Sequence, residues 1–231
     1  MYKYQLHAHT KPCSACSQMT PEQLILALKN GGYQGVVITN HFYNGYTGID
    51  RDLAWHDFVK AYEDDYLEHK KHALSYDIDV LFAVEEHIGD GLEIICYGIT
   101  PRLLYDNPQL KSASLEAWSK VVRENGGVII QAHPFRSRYY VTNPRVVDLK
   151  FIDGIEIYNY GNPKVDDLKA VEFSKSHPEL ILTSGADTHN ENTVAALGIE
   201  TKHRVKTEKD LASLLKSKSY TLITPPDISK F

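Results

Sequence analysis

Two pairs of polar side chains in this sequence have the types and the spacing of metal ligands. His7 and His9 are separated by one residue in an apolar stretch near the amino terminus, and Asp187 and His189 repeat that spacing far downstream. In an extended chain, residues i and i+2 point to the same side, so each pair presents two donor groups to one point. We therefore predict a metal site, although a single buried histidine would more simply be a local hydrogen-bonding residue.

Other candidate ligands lie at the carboxyl ends of predicted strands. His41 follows residues 35–39, Glu85 follows residues 79–84, and His133 follows residues 128–132. In barrels of parallel strands, the carboxyl ends of the strands form the rim that carries the chemistry. Random placement would scatter such residues over both rims and the helices. We regard this regularity as the strongest functional signal in the sequence.

The elements that must position these residues alternate between strand and helix patterns. The predicted strands cover residues 4–8, 35–39, 79–84, 92–97, 128–132, 154–158, 180–183 and 220–223. The predicted helices cover residues 20–30, 52–76, 114–124 and 165–176, and a last helix begins at Thr207. This alternation implies parallel strands with helical crossovers, and a glycine-rich turn at residues 89–91 predicts a hairpin. No linker or repeat divides the chain, so we expect one domain over residues 1–231.

Composition limits the classes of partner. The chain has 25 Lys and Arg against 30 Asp and Glu, a formal charge of −5. This charge argues against broad electrostatic binding to nucleic acid or to an anionic membrane. No apolar run has the length of a membrane span, and no signal region opens the chain. The three cysteines do not suggest a disulfide framework. We expect a cytoplasmic protein, and the sequence does not indicate its oligomeric state.

Six segments, in this order, resemble the motifs of the PHP superfamily, named for polymerase and histidinol phosphatase. They are LHAHT (6–10), ITNH (38–41), AVE (83–85), AHPF (132–135), GIEIYN (154–159) and SGADTH (184–189). The resemblance implies an α/β fold, a distorted seven-stranded (βα) TIM-like barrel, with two or three divalent metals (zinc, manganese or iron). It also implies ligand sets: His7, His9, Glu85 and Asp187 for the first metal, Glu85 and His133 for the second, and His41 and His189 for the third.

Two positions depart from the family pattern. Related sequences often carry histidine in the hairpin after the bridging carboxylate, whereas this chain has Glu93. Glu93 is either a ligand that favours a harder metal such as manganese or a solvent-facing strand residue. The loop after His9 lacks the aspartate or histidine usual for the third metal. Either Cys13 or Cys16 replaces it as thiolate, or the third metal is weakly bound or absent. The spacing of the two cysteines also fits a redox pair, a zinc knuckle that lacks its second cysteine pair, or simple packing in the loop.

Several neighbouring polar residues are interpreted as supporting structure. Alternation along the strand turns Glu86 away from Glu85, so Glu85 is the predicted ligand. Glu156 is interpreted as polar support beside the site. Three histidines in the long charged helix follow no ligand spacing and are interpreted as surface or packing residues: His56, His69 and His72.

The predicted chemistry is hydrolysis of a phosphate ester. Adjacent metals lower the pKa of a trapped water, and the resulting metal-bridging hydroxide attacks a phosphoryl group whose oxygens the metals clamp. Arg136 and Arg138 are candidate phosphate ligands because a guanidinium suits phosphate geometry, and Asn159 is a further substrate-binding candidate. We expect a small phosphomonoester, a nucleotide or a phosphorylated metabolite. The alternatives are a histidinol phosphatase, a phosphotyrosine phosphatase, or a non-catalytic metal-binding or interaction module.

Overall fold

The computed structural model describes residues 1–194 and 196–225, which form one sheet surrounded by helices. The strands are β1 (Tyr2–Ala8), β2 (Gly35–Ile38), β3 (Asp79–His87), β4 (Glu93–Tyr97), β5 (Val128–Ala132), β6 (Gly154–Asn159), β7 (Ile181–Gly185), β8 (Gly198–Thr201) and β9 (Thr221–Ile223). The helices are α1 (Pro21–Asn30), α2 (Trp55–Ala73), α3 (Pro101–Asp106), α4 (Leu115–Glu124), α5 (Lys164–Lys175) and α6 (Glu208–Ser217). Among these described residues, no helix is both long and apolar enough to cross a membrane.

The sheet has the strand order β7-β6-β5-β4-β3-β2-β1-β8-β9 and curves into a nearly closed barrel. At the carboxyl end of β1, a parallel bridge between Ala8 and Thr188 brings the chain after β7 against β1. The amino-terminal half of β1 instead pairs antiparallel with β8, which pairs with β9. The expected count of seven strands is therefore not confirmed. The missed strand β8 contains one large apolar residue, Ile199, and so lacks the apolar run that identified β2, which has the same length.

The hairpin of β3 and β4 determines which end of β4 faces the rim. β4 is antiparallel to both neighbours, with Glu93 opposite His87 in β3 and Ala132 in β5. The first residue of β4 therefore lies at the edge of the barrel where β3 and β5 end. This reversal brings Glu93 to the same rim as Glu85 and His133.

A register irregularity in β1 between Gln5 and Ala8 changes which side chains face the barrel interior. Leu6 belongs to the apolar cluster inside the barrel, which includes Val37 and Ile95, whereas Ala8 belongs to the cluster between sheet and helices. A bulge of this kind re-aims the side chains that follow it. It allows His7 to join the polar cluster at the rim although its neighbour Leu6 also faces inward.

The helix ends follow the predicted capping chemistry. Thr20 and Gln23 form a capping box at the start of α1, and Ser114 accepts a hydrogen bond from Ala117 N–H at the start of α4. Helix α2 is shorter than predicted, with residues 52–54 before it and residues 74–76 after it. The helices cover the outer face of the sheet, where their apolar side chains pack against it.

Candidate metal centre

The carboxyl ends of β1, β3 and β7 bring two imidazoles and two carboxylates into contact. His7 Nε2 lies 3.0 Å from His9 Nε2, 3.1 Å from Glu85 Oε1 and 3.4 Å from Asp187 Oδ1. His9 Nε2 lies 3.1 Å from the same Asp187 oxygen and 3.3 Å from Glu85 Oε2. The four side chains are buried. They are the residues that the family resemblance assigns to the first metal.

Glu85 also faces a second group of donors. His41 Nδ1 lies 2.9 Å from Glu85 Oε2 and 3.4 Å from Glu93 Oε1. His133 Nε2 lies 3.3 Å from Glu85 Oε1 and 3.4 Å from Glu93 Oε2. Glu93 is therefore directed at the cluster and is not a solvent-facing strand residue, since only 9% of it is exposed.

The donors fall into overlapping groups in which each atom lies within 4.8 Å of the others. These groups are His7 with His9 and Glu85; His7 with His133 and Asp187; His41 with Glu85 and Glu93; and His9 with His41 and His189. The grouping differs in part from the predicted ligand sets, because His41 faces Glu85 and Glu93 as well as His189. The eight predicted ligands are brought together at one rim, and their assignment to individual metals stays a prediction.

Burial and mutual charge shift the pKa of most groups in the cluster. Burial opposes protonation of His7, but the carboxylates of Glu85 and Asp187 outweigh it and raise the His7 pKa well above its usual range. Burial also opposes ionisation of Asp187, but Arg136 and His7 hold its pKa well below the usual range. Burial and the adjacent Glu85 carboxylate raise the pKa of Glu93. The carboxylates thus attract positive charge, which a proton or a cation can supply.

Unpaired buried atoms indicate that these residues fit a metal. Among the described residues, Glu85 Oε2 and His41 Nδ1 are buried and lack a hydrogen bond, although they lie 2.9 Å apart. Buried polar atoms without a partner are costly and rare. A cation between these donors would satisfy both, and the nitrogen and oxygen donor set is one that zinc, manganese and iron accept.

Glu156 fixes the orientation of His7. Glu156 Oε1 lies 3.0 Å from His7 Nδ1, so Nδ1–H donates to the carboxylate and Nε2 faces the cluster. The other oxygen, Oε2, accepts from His133 N–H at 3.2 Å and from Asn159 Nδ2 at 2.7 Å. A Cβ on Gly185 would lie 2.3 Å from Glu156 Oε1, so only glycine leaves room for this contact. Glu156 supports the site, in agreement with the sequence-based interpretation.

A second hydrogen-bond chain orients His9. Thr10 N–H donates to Asn40 Oδ1 at 2.7 Å, which identifies that atom as the amide oxygen. Ser14 O–H therefore donates to Asn40 Oδ1 at 2.8 Å, and Ser14 Oγ accepts from His41 N–H at 3.0 Å. Because the Ser14 hydroxyl proton is directed at Asn40, His9 Nδ1–H must donate the hydrogen bond of 3.1 Å to Ser14 Oγ. His9 Nε2 consequently faces His7 Nε2, 3.0 Å away.

The backbone is strained at two of the candidate ligands. His133 has a φ of 31° and Asp187 has a φ of 49°. Both values lie in the left-handed region, which residues other than glycine rarely adopt. Such conformations cost about 1–3 kcal/mol each and persist where surrounding contacts impose them. At His133, the N–H bond to Glu156 and the Arg136 N–H bond to the His133 carbonyl provide that constraint.

The candidate phosphate ligands differ in their surroundings. Arg136 is buried and donates through Nη2 to Asn159 Oδ1 at 2.8 Å and to Asp187 Oδ2 at 2.5 Å, and through Nε to Asn162 Oδ1 at 2.9 Å. Arg138 is exposed and donates to the Gly161 carbonyl at 2.6 Å. The structure thus brings Arg136 to the cluster but not Arg138. Asn159 lies beneath the site, where it connects Arg136 to Glu156.

A cavity of about 640 Å³ opens above the cluster. It is lined by Cys16, His41, Asn44, Gly45, Tyr46, His87, Gly91, Glu93, Arg136, Tyr139, Tyr140, Asp187 and His189. Of these, Tyr46 and Tyr139 are the most exposed aromatic residues, at 65% and 98%. The cavity therefore has metal-ligand candidates at its base and aromatic side chains at its mouth, which suits a ligand with a charged end and a larger organic part.

Sequence reasoning did not identify the residues that support the cluster from below. Ser14 and Asn40 orient His9, and Asn40 Nδ2 donates to Asp65 Oδ2 at 2.8 Å. His69, interpreted as a surface or packing residue, is fully buried and contacts Thr10 Oγ1 at 2.9 Å. The available signal was Asn40 itself, a polar residue that directly precedes His41 at the end of a buried strand.

The two cysteines after His9 have separate environments. Cys13 is buried in the apolar cluster between sheet and helices, and burial raises its pKa well above the usual range. Cys16 lines the cavity, with Sγ 3.0 Å from His189 Nε2. Burial opposes ionisation of Cys16, but hydrogen bonds with His189 and His41 outweigh it and lower its pKa to about 7. No disulfide joins the two residues.

Comparison with known proteins identifies the fold. No family model and no curated protein matches the sequence. A proposed metal-dependent phosphoesterase from Bifidobacterium adolescentis is 13% identical, with a TM-score of 0.55 over 93% of this chain and 96% of that chain. PsfC from Pseudomonas syringae is 14% identical, with a TM-score of 0.69 over 98% of this chain and 93% of that chain.

A third similar structure is a two-domain protein from Bacteroides vulgatus that contains a predicted PHP-like metal-dependent phosphoesterase. It is 11% identical, with a TM-score of 0.68 over 97% of this chain, and the match spans 65% of that chain. Identities this low show the fold alone. The α/β barrel fold that the sequence predicted is confirmed, apart from the strand count.

Proposed function

We propose that this protein is a metal-dependent phosphoesterase that hydrolyses a small phosphomonoester, either a nucleotide or a phosphorylated metabolite. The single observation that carries the proposal is the convergence of buried imidazole and carboxylate donors, some without hydrogen-bond partners, at the carboxyl rim of the barrel. Two proteins of the same fold are named for phosphoesterase activity. Fold alone does not imply function, so the proposal depends on the site.

The residues that would hold two or three divalent cations are His7, His9, His41, Glu85, Glu93, His133, Asp187 and His189. Zinc, manganese and iron all accept such ligands. Bound cations of this kind supply Lewis-acid activation of water and neutralise charge on phosphoryl oxygens. Glu85 would be the ligand that two cations share. Its Oε1 contacts His7 and His133, and its Oε2 contacts His9 and His41.

The chain itself contributes orientation and charge. Glu156 and Ser14 hold the His7 and His9 rings with Nε2 directed at the cluster, which fixes the donors before any ligand enters. Arg136 uses Nε and Nη2 for its contacts with Asn159, Asn162 and Asp187. We assign its remaining nitrogen, Nη1, to a non-bridging oxygen of the substrate, since Arg136 also lines the cavity.

The cavity favours a substrate whose organic part is planar or aromatic. Tyr46, Tyr139 and Tyr140 line it together with His87, and aromatic rings offer flat apolar faces for stacking. A nucleoside monophosphate or an aryl phosphate such as phosphotyrosine would use these faces, whereas a short aliphatic phosphate would not. We therefore place nucleotides first among the candidate substrates.

The test is release of inorganic phosphate from a panel of phosphomonoesters by protein stripped of metal and reloaded with zinc, manganese or iron. The panel includes nucleoside monophosphates, sugar phosphates, histidinol phosphate and phosphotyrosine. Glu85→Gln should abolish turnover, whereas Asp79→Asn, which removes a carboxylate at the opposite end of β3, should retain it. Inactivity on the whole panel by protein that binds its metals would overturn the proposal and favour a non-catalytic metal-binding module.

A further inference from the structure

The loop after β1 holds a thiol at the edge of the histidine cluster. Cys16 Sγ lies 3.0 Å from His189 Nε2, and Cys16 and His41 both line the cavity. Both histidines form a potential metal group with His9. The His9 ring stacks on His189 with centroids 4.6 Å apart and on His41 with centroids 4.4 Å apart. The thiol therefore borders a group of three imidazoles.

The hydrogen bonding of His189 leaves a lone pair on Nε2, the ring nitrogen that faces the Cys16 thiol. His189 Nδ1 lies 2.8 Å from the backbone carbonyl of Asp187, so Nδ1–H donates and Nε2 carries the lone pair of the neutral ring. In the absence of a cation, the Cys16 S–H can donate to this nitrogen. A cation placed between Sγ and Nε2 would instead be bound by both, with the thiol proton released to solvent.

The position of Cys16 is imposed by backbone contacts on both sides. Ala15 N–H donates to the Tyr46 carbonyl at 3.0 Å, and Gln18 N–H donates to the His189 carbonyl at 3.0 Å. Between them, Ser17 Oγ donates to the His9 carbonyl at 2.9 Å. The segment that carries the thiol is thus bonded to the backbone of His9 and His189, which follow β1 and β7, so the sulfur is held against the imidazoles.

We propose that Cys16 is a thiolate ligand of a divalent cation that it shares with His41 and His189, and that this position selects a thiophilic metal such as zinc. A thiolate with imidazoles suits zinc, whereas manganese prefers oxygen ligands. The centre would then contain one metal site with a sulfur ligand beside metal sites with carboxylate ligands from Glu85 and Glu93. The assignment of Cys16 rests on the proposed phosphoesterase function in one respect, which is that both require the cluster to bind metal.

The experiment uses cobalt(II) as a spectroscopic probe in the full-length, metal-stripped chain. A thiolate bound to cobalt gives a charge-transfer absorption band in the near ultraviolet, which imidazole and carboxylate ligands do not give. Wild-type protein should show this band. Cys16→Ser should lose this band. It should also bind zinc at the site formed with His41 and His189 at least about tenfold more weakly than the wild type. Cys13→Ala, which removes the buried thiol of the same loop, should keep the band.

A rescue variant separates ligation from a structural role. Cys16→Asp should restore the number of metal ions bound per chain, measured by elemental analysis, without restoring the charge-transfer band. Cobalt binding by the wild type without the band, or persistence of the band in Cys16→Ser, would overturn this proposal and leave the phosphoesterase proposal standing. Failure of the wild type to bind any divalent metal would overturn both.

Discussion

His7 Nδ1 lies 3.0 Å from Glu156 Oε1, and neither side chain reaches solvent. This contact gives His7 its orientation, because a ring that donates from Nδ1 must offer Nε2 to the cluster. Glu156 is in turn held by Asn159 and by the backbone N–H of His133. One carboxylate outside the predicted ligand set therefore positions two candidate ligands, one in β1 and one directly after β5.

Glu156→Gln should weaken metal binding while leaving the barrel folded. The amide keeps the shape of the side chain but removes the negative charge that holds His7 Nδ1–H, and loss of such a partner costs about 10–100-fold in metal affinity. The measurement is competition of the protein with a zinc chelator. Asp79→Asn is the matched control, since Asp79 accepts bonds from Tyr4 and Arg204 far from the cluster. Equal affinities for Glu156→Gln and wild type would show that this contact does not support the metal centre.

Arg136→Gln and Arg138→Gln should differ strongly in their effect on stability. Arg136 is buried against Asp187, and removal of one partner of a buried pair typically costs about 3–5 kcal/mol. Arg138 is exposed and bonded to one backbone carbonyl, so its loss should cost less than about 1 kcal/mol. Urea unfolding of both metal-free variants measures the difference. Similar free energies of unfolding would contradict the structural role assigned to Arg136.

Asp65→Asn should remove a pH-dependent loss of stability. Burial is the main cause that raises the Asp65 pKa from 3.8 to about 7, and one of its oxygens lacks a hydrogen bond. Between these two pKa values the folded state binds a proton that the unfolded state has released, so the free energy of unfolding falls as pH rises. The wild type should therefore lose stability from pH 4 to pH 8 relative to Asp65→Asn, by up to on the order of 4 kcal/mol.

Thermal or urea unfolding at several pH values, with metal removed, checks this expectation. The Asn40 amide can still donate to an asparagine oxygen at position 65, so the variant keeps that hydrogen bond. Parallel stability profiles for the two proteins across this pH range would show that Asp65 ionises normally in the folded chain.

Metal uptake should release protons, and apparent metal affinity should rise with pH. Burial opposes the charge on His7, but Glu85 and Asp187 raise its pKa, so the metal-free protein holds a proton there near neutral pH. Ligands must lose their protons to bind a metal. Calorimetric titrations in two buffers of different ionisation enthalpy measure this release, and His7→Asn should reduce it. Binding heats that do not depend on the buffer would exclude proton displacement.

Cys16 should react with iodoacetamide faster than the other two thiols. Burial opposes its ionisation, but the imidazoles lower its pKa to about 7, whereas burial raises the pKa of Cys13 and Cys96. The thiolate is the reactive form. Mass spectrometry of the native, metal-free protein identifies the modified residue. Modification of Cys13 at an equal rate would contradict the environments described for the two cysteines.

Short-range patterns predicted most of the elements of this fold. Short apolar runs identified the strands that precede His41, Glu85 and His133 in the sequence, and capping residues marked the starts of α1 and α4. The hairpin of β3 and β4 followed from the turn between them. These features depend on residues within a few positions of each other, and the chemistry of the ligands follows from residue type. Strand β8 was missed because it lacks an apolar run and pairs with β1, which is distant in sequence.

The tertiary structure decided which donor atoms meet and how each is oriented. The irregularity in β1 determines that His7 faces the cluster, and the antiparallel direction of β4 brings Glu93 beside it. Contacts between distant segments separate Cys16 from Cys13 and place Arg136 against Asp187. The physical reason is that a shift of one residue in strand register reverses the direction of every side chain. Residue types determine which ions can be bound, whereas packing between distant strands determines which ligands share one.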